Sequence, residues 1–121
     1  VEQHLEQGKD VILEIEIQGA LKVKKRFPEA LLLFVTPPSA QELKRRLVGR
    51  GTETLEVINA RLHRAAEEAS GMEAYDYLLV NDEIDRCVQQ MHSLIQLQHL
   101  RTGYHLDFLN QMRDELYHLD D

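Results

Sequence analysis

Three short apolar runs recur along the chain: "VILEIEI" (Val11 to Ile17), "LLLFV" (Leu31 to Val35) and "YLLVN" (Tyr77 to Asn81). Helical patterns separate them, and this alternation constrains the fold more than any other feature. The first run is rich in β-branched residues and reads as a strand after a short helix, Val1 to Gln7, that stops at Gly8. The second and third are apolar throughout, as in strands of a parallel sheet buried on both faces, and Pro37-Pro38 closes the second. The helices between them are marked by their ends. Gly19 to Phe27 runs into Pro28, Ser39 to Val48 opens with the capping box Ser39-x-x-Glu42, and Leu55 to Ser70 has Thr54 as N-cap. A longer helix is expected from Ile84 to Arg101, with Ile84, Cys87, Val88, Met91, Leu94 and Ile95 on one face. Strands alternating with helices in this order make an α/β fold.

At 121 residues the chain has the size of one ordinary domain, and no repeat, low-complexity stretch or linker interrupts it. Fourteen Lys+Arg against 21 Asp+Glu leave a net charge of −7 with histidines neutral. That balance argues against nucleic acid or an anionic membrane surface as partner. A single cysteine, Cys87, excludes an internal disulfide, and with no bilayer-length apolar run or signal-peptide pattern a cytoplasmic location is expected.

Against this acidic background "RRLVGRGTET" (Arg45 to Thr54) stands out, with three arginines around two glycines. Arg46 and Arg50 are four apart and project from one side of a helix, Gly49 and Gly51 let the backbone bend around Arg50, and Arg61 and Arg64 follow on the next helix. Paired as an antiparallel hairpin, the two helices would present guanidinium groups suited to bidentate contact with phosphate. The alternative is a solvated surface with Arg–Glu pairs, since Glu42, Glu53, Glu56, Glu67 and Glu68 are close by. Glu14 and Glu16, two apart, fall on one face of the first expected strand near its C-terminal end. Ligands of open α/β sheets bind at such ends, and two carboxylates there suit a hydrated magnesium ion or a base, or are a solvated strand face. The histidines show no metal-ligand spacing, and no resident protein metal site is expected.

In order, "LEIEIQGALKVKKRFPEALLLFVTPPSAQELKRRLVGRGTET", "INARLHRAAEE" and "YDYLLVND" resemble the C-terminal part of a guanylate kinase, from about Val1 to Arg101. The resemblance implies part of a P-loop nucleoside-monophosphate-kinase-like parallel sheet flanked by helices. It also implies a helical lid hairpin over about 39–70. Past Arg101 the resemblance gives little, and the apolar spacing of Leu106, Leu109, Met112, Leu116 and Leu119 reads as a helical tail over 102–121. The resemblance implies phosphoryl transfer from ATP to GMP with Mg2+, Arg46, Arg50 and Arg61 as catalytic, phosphate-binding arginines, Glu14 and Glu16 at the GMP and magnesium side, and Asn81 near the adenine. Many relatives have Asp where this chain has Glu16. The family's phosphate loop, G-x-x-x-x-G-K-[ST], is not among these residues: Gly8-Lys9 is followed by Asp10 and precedes the expected strand. The chain by itself is therefore expected to be inactive, as a fragment or truncated homologue, and its open strand edges are expected to favour a homo-oligomer. A non-catalytic guanylate-kinase-like binding module is the alternative, and the retained lid arginines favour the enzyme.

Overall fold

A computed structural model describes residues 1–120. Its elements in order are α1 (Glu2–Glu6), α2 (Ile17–Arg26), β1 (Leu33–Thr36), α3 (Ala40–Gly49), α4 (Leu55–Ala69), β2 (Tyr77–Val80), α5 (Ile84–Gln98) and α6 (Leu106–Tyr117). β1 and β2, distant in sequence, pair in parallel, so the fold is α/β, as expected. The chain divides into two units, Val1–Leu78 and the residues from Leu79 on, with the boundary inside β2.

The caps act where the sequence places them. Ser39 Oγ accepts from Glu42 N at 3.0 Å and starts α3. Thr54 Oγ1 accepts from Val57 N at 3.3 Å and starts α4. Each satisfies one of the amides that a helix start leaves without an internal partner, which stabilises the helix by about 1 kcal/mol.

The first unit buries Ala20 of α2, Leu32 just before β1, Leu47 of α3 and Ile58 of α4. The junction of β1 and β2 is tied by one carboxylate. Asp76 Oδ2 accepts from Leu32 N at 2.8 Å and pairs with Lys24 Nζ at 3.2 Å, while Lys24 also donates to Ala30 O. Asp76 N and Tyr77 N return hydrogen bonds to Leu32 O at 2.9 and 3.2 Å, which sets the strand register. Phe34 meets the Tyr75 ring edge-on at 5.1 Å. In the second unit, Leu79 and Cys87 are buried, and Met91, Leu94 and Ile95 of α5 are half-buried.

Three expectations change. No strand forms over Val11 to Ile17: residues 11–16 carry no regular structure, and Ile17 already belongs to α2. A strand exists only through hydrogen bonds to a neighbour, and among the described residues the sheet contains only β1 and β2. Burial on both strand faces is also corrected, because Val35, Leu78 and Val80 are exposed while Leu79 between the last two is buried. Of the β2 residues Leu79 alone is buried. The long C-terminal helix ends at Gln98, short of Arg101, and the expected tail helix forms as α6 with Leu106, Met112 and Leu116 exposed.

Candidate active site

The arginine-rich segment folds as two helices, α3 and α4, that pack against each other across a five-residue turn, 50–54. Two residues decide the turn. Arg50 ends α3 in helical geometry, and Gly51 then takes φ +65, a left-handed conformation that side chains with a Cβ rarely adopt. The chain thus reverses directly after Arg50, leaving that residue exposed at the tip with no hydrogen bond or ion pair among the described residues.

The other two candidate arginines are held by carboxylates. Glu42 forks between Arg46 and its neighbour Arg45, accepting from Arg45 Nε at 2.8 Å, Arg45 Nη2 at 2.5 Å and Arg46 Nε at 3.0 Å. The Arg45 hydrogen bond, seconded by that of Arg46 and opposed by desolvation, lowers the Glu42 pKa from 4.5 to about 2, and Arg45 is held more firmly in its charged form. Arg61, two turns into α4, pairs through Nη2 with Glu53 Oε1 at 2.5 Å. Glu53 sits in the turn with its side chain 18% exposed, and its Oε2 is buried without a hydrogen-bond partner among the described residues.

The sequence signals for these pairs differ in strength. Glu42 lies three and four residues from Arg45 and Arg46, spacings that bring side chains together on a helix. Glu53, just before the α4 cap, and Arg61 within α4 are eight apart, and no periodicity points to their contact.

The Glu42 cluster makes stability depend on pH in a defined direction. Its folded pKa lies below the unfolded value, so the contribution is present above pH 4.5 and lost as pH falls toward about 2. Glu42→Gln is expected to flatten the acid limb of the thermal midpoint between those pH values, more clearly at low salt. Identical acid limbs in wild type and variant would show that the fork adds nothing to stability.

The acidic pair is placed differently from a strand face. Glu16 is extended at φ −75 and ψ 170 and caps α2, with Oε2 accepting from Gln18 N at 2.9 Å and Oε1 from Gly19 N at 2.8 Å. A Cβ on residue 19 would lie 2.7 Å from Glu16 Oε1, so glycine there lets the carboxylate close on the helix end. Glu14 is exposed. Among the described residues no three metal-ligating side chains gather. Asn81, half-buried directly after β2, belongs to the second unit.

Comparisons with known proteins agree on one family. The family model described as guanylate kinase matches residues 1–98. A guanylate kinase of Halalkalibacterium halodurans is 50% identical over 112 residues, covering 93% of this chain and 55% of the relative. One from Bacillus cereus is 46% identical over 116 residues, covering 96% of the chain and 57% of the relative. The crystal structure of guanylate kinase from Anaplasma phagocytophilum superposes with a TM-score of 0.68 at 32% identity, over 84% of this chain and 47% of that one. The chain spans about half the length of the curated relatives it matches. No helix among the described residues is long and apolar enough to cross a membrane.

Proposed function

The chain belongs to the guanylate kinase family, and from that premise we propose that the complete protein carrying it transfers the γ-phosphoryl group of ATP to GMP, giving ADP and GDP. Residues 1–101 are read as the C-terminal part of the kinase domain, with residues 39–70 as its lid and 102–121 as a helical tail. The observation that carries the reading is the α3–α4 hairpin, with Arg46 and Arg50 on one arm and its end and Arg61 on the other.

Phosphoryl transfer asks little covalent chemistry of the protein; it needs in-line positioning and cancellation of charge on the equatorial oxygens. Guanidinium groups on a hinged hairpin supply that charge when substrates are bound and exclude water from the transfer. Arg50, at the tip and unpaired among the described residues, is the group placed to reach the transferring phosphoryl. Arg46 and Arg61, each held through one nitrogen, keep further N–H donors for phosphate oxygens.

Magnesium neutralises phosphate charge when bound with ATP. The described residues offer no protein cage for it, so the ion would be held mainly by phosphate oxygens and water, as magnesium commonly is. Glu16 has both oxygens committed to the α2 cap, which leaves Glu14 as the acidic residue on the GMP and magnesium side with oxygens to offer. Asn81 is assigned to the adenine side and the protein to the cytoplasm. The retained lid arginines favour this reading over a non-catalytic binding module. Its test is ADP formation by the complete protein with ATP, magnesium and GMP; absence of GMP-dependent turnover overturns it.

Self-association of the isolated chain belongs to the same reading. Ile12, Leu13 and Ile15 are exposed at 71, 44 and 45% in a segment without strand partners, and the two-stranded sheet has open edges. Light scattering at micromolar concentration is expected to give a small, defined oligomer. A monodisperse monomer would refute it.

A further inference from the structure

Glu53 occupies an unusual position for a turn carboxylate. Turns in surface hairpins ordinarily leave their charges in water, yet this side chain is only 18% exposed and one of its oxygens is buried without a partner among the described residues. Its one counterion among the described residues is Arg61 on α4, at 2.5 Å from Oε1 to Nη2. A charge removed from water interacts more strongly with its neighbour than an exposed one does, and an oxygen with no other donor leaves that attraction undivided.

We propose that Glu53 is a positioning residue for phosphoryl transfer: it holds the Arg61 guanidinium in the orientation in which its remaining N–H groups meet the nucleotide phosphates. The assignment rests on the kinase reading above. Three features support positioning rather than parking the arginine away from its work. Glu53 engages Nη2 and leaves Nε and Nη1 as donors. Both residues lie on the same hairpin, with Glu53 directly before the Thr54 cap of α4, so lid closure moves them together and need not break the pair. The Arg61 side chain is 46% exposed beside its largely buried partner, which leaves part of it open to a ligand. An arginine free to sample its rotamers would lose that pre-organisation on every turnover.

The test is a double-mutant cycle in the complete protein with Glu53→Gln, Arg61→Ala and the double variant, reading kcat, the KM values for ATP and GMP, and the thermal midpoint. Glu53→Gln keeps the side chain's shape and removes its charge, so no buried charge is created. It is expected to lower kcat about 10- to 100-fold with the KM for GMP unchanged. The double variant is expected to match Arg61→Ala within about twofold, because Glu53 has no effect without its arginine. Glu53→Asp, which keeps the charge one methylene further back, is expected to fall between wild type and Glu53→Gln. A thermal midpoint lowered in Glu53→Gln with kcat intact overturns the assignment and leaves Glu53 a structural residue. Additive losses in the double variant overturn it as well. Loss of activity in Arg61→Ala with none in Glu53→Gln removes Glu53 alone, whereas wild-type kcat in Arg61→Ala removes Arg61 from the reaction and the lid-arginine reading with it.

Discussion

Arg50→Ala in the complete protein is expected to lower kcat by about 10³-fold or more, the range that arginine fingers supply in phosphoryl transfer. The thermal midpoint is expected to stay within about 2 °C of wild type. Both halves follow from one placement. Arg50 is exposed at the end of α3 and has no partner among the described residues, so truncating it removes no interaction from the free protein. What it removes is charge stabilisation that exists only while the phosphoryl group is in flight, and such a loss appears in kcat rather than in KM. Steady-state kinetics beside a melting curve read the two effects separately. A kcat within twofold of wild type would return Arg50 to the solvated surface. Arg61→Ala differs in kind: it leaves the Glu53 carboxylate buried without its counterion, so some stability should be lost along with rate.

The second large effect concerns the 121-residue chain by itself, which is expected to show no GMP-dependent turnover in a coupled assay with ATP and magnesium. The motif G-x-x-x-x-G-K-[ST] does not occur in these residues. The one Gly-Lys pair, Gly8-Lys9, follows the short helix α1 and leads into an irregular segment, whereas a phosphate loop links a strand to a helix. Without a cradle of backbone amides and a lysine on the β- and γ-phosphates, the lid arginines have no held triphosphate on which to act. Turnover in the usual kinase range of about 1 to 100 s⁻¹ would disprove this and mean that other residues of the chain bind the phosphates.

Much of the hairpin is legible in the order of residues alone. Ser39 and Thr54 announce the two helix starts, and in each case the hydroxyl accepts the hydrogen bond that its position calls for. Pro37 follows β1 directly, and the apolar runs at Leu31 to Val35 and Tyr77 to Asn81 mark both strands to within about two residues. Arginines placed around glycines mark the reversal between α3 and α4, and the ordered motifs mark the family. These features are local: a helix satisfies its hydrogen bonds within a few residues, and its caps lie beside it in the chain.

Tertiary structure decided the rest. "VILEIEI" has the composition of a strand, but strand hydrogen bonds come from another segment, and here the same residues run irregularly into α2. That change turns Glu16 from one of two carboxylates on a strand face into a helix cap with both oxygens engaged. The Asp76 carboxylate binds Leu32 N across 44 positions of sequence, and Glu53, in the turn just before α4, meets Arg61 two turns into that helix. Neither contact has a period that a sequence can display. The helices of the hairpin, their Ser39 and Thr54 caps and the family were set by residues acting on near neighbours; whether an apolar run becomes a strand, and which carboxylate holds which partner, was set by how segments meet, because ion pairs and strand ladders depend on separation in space.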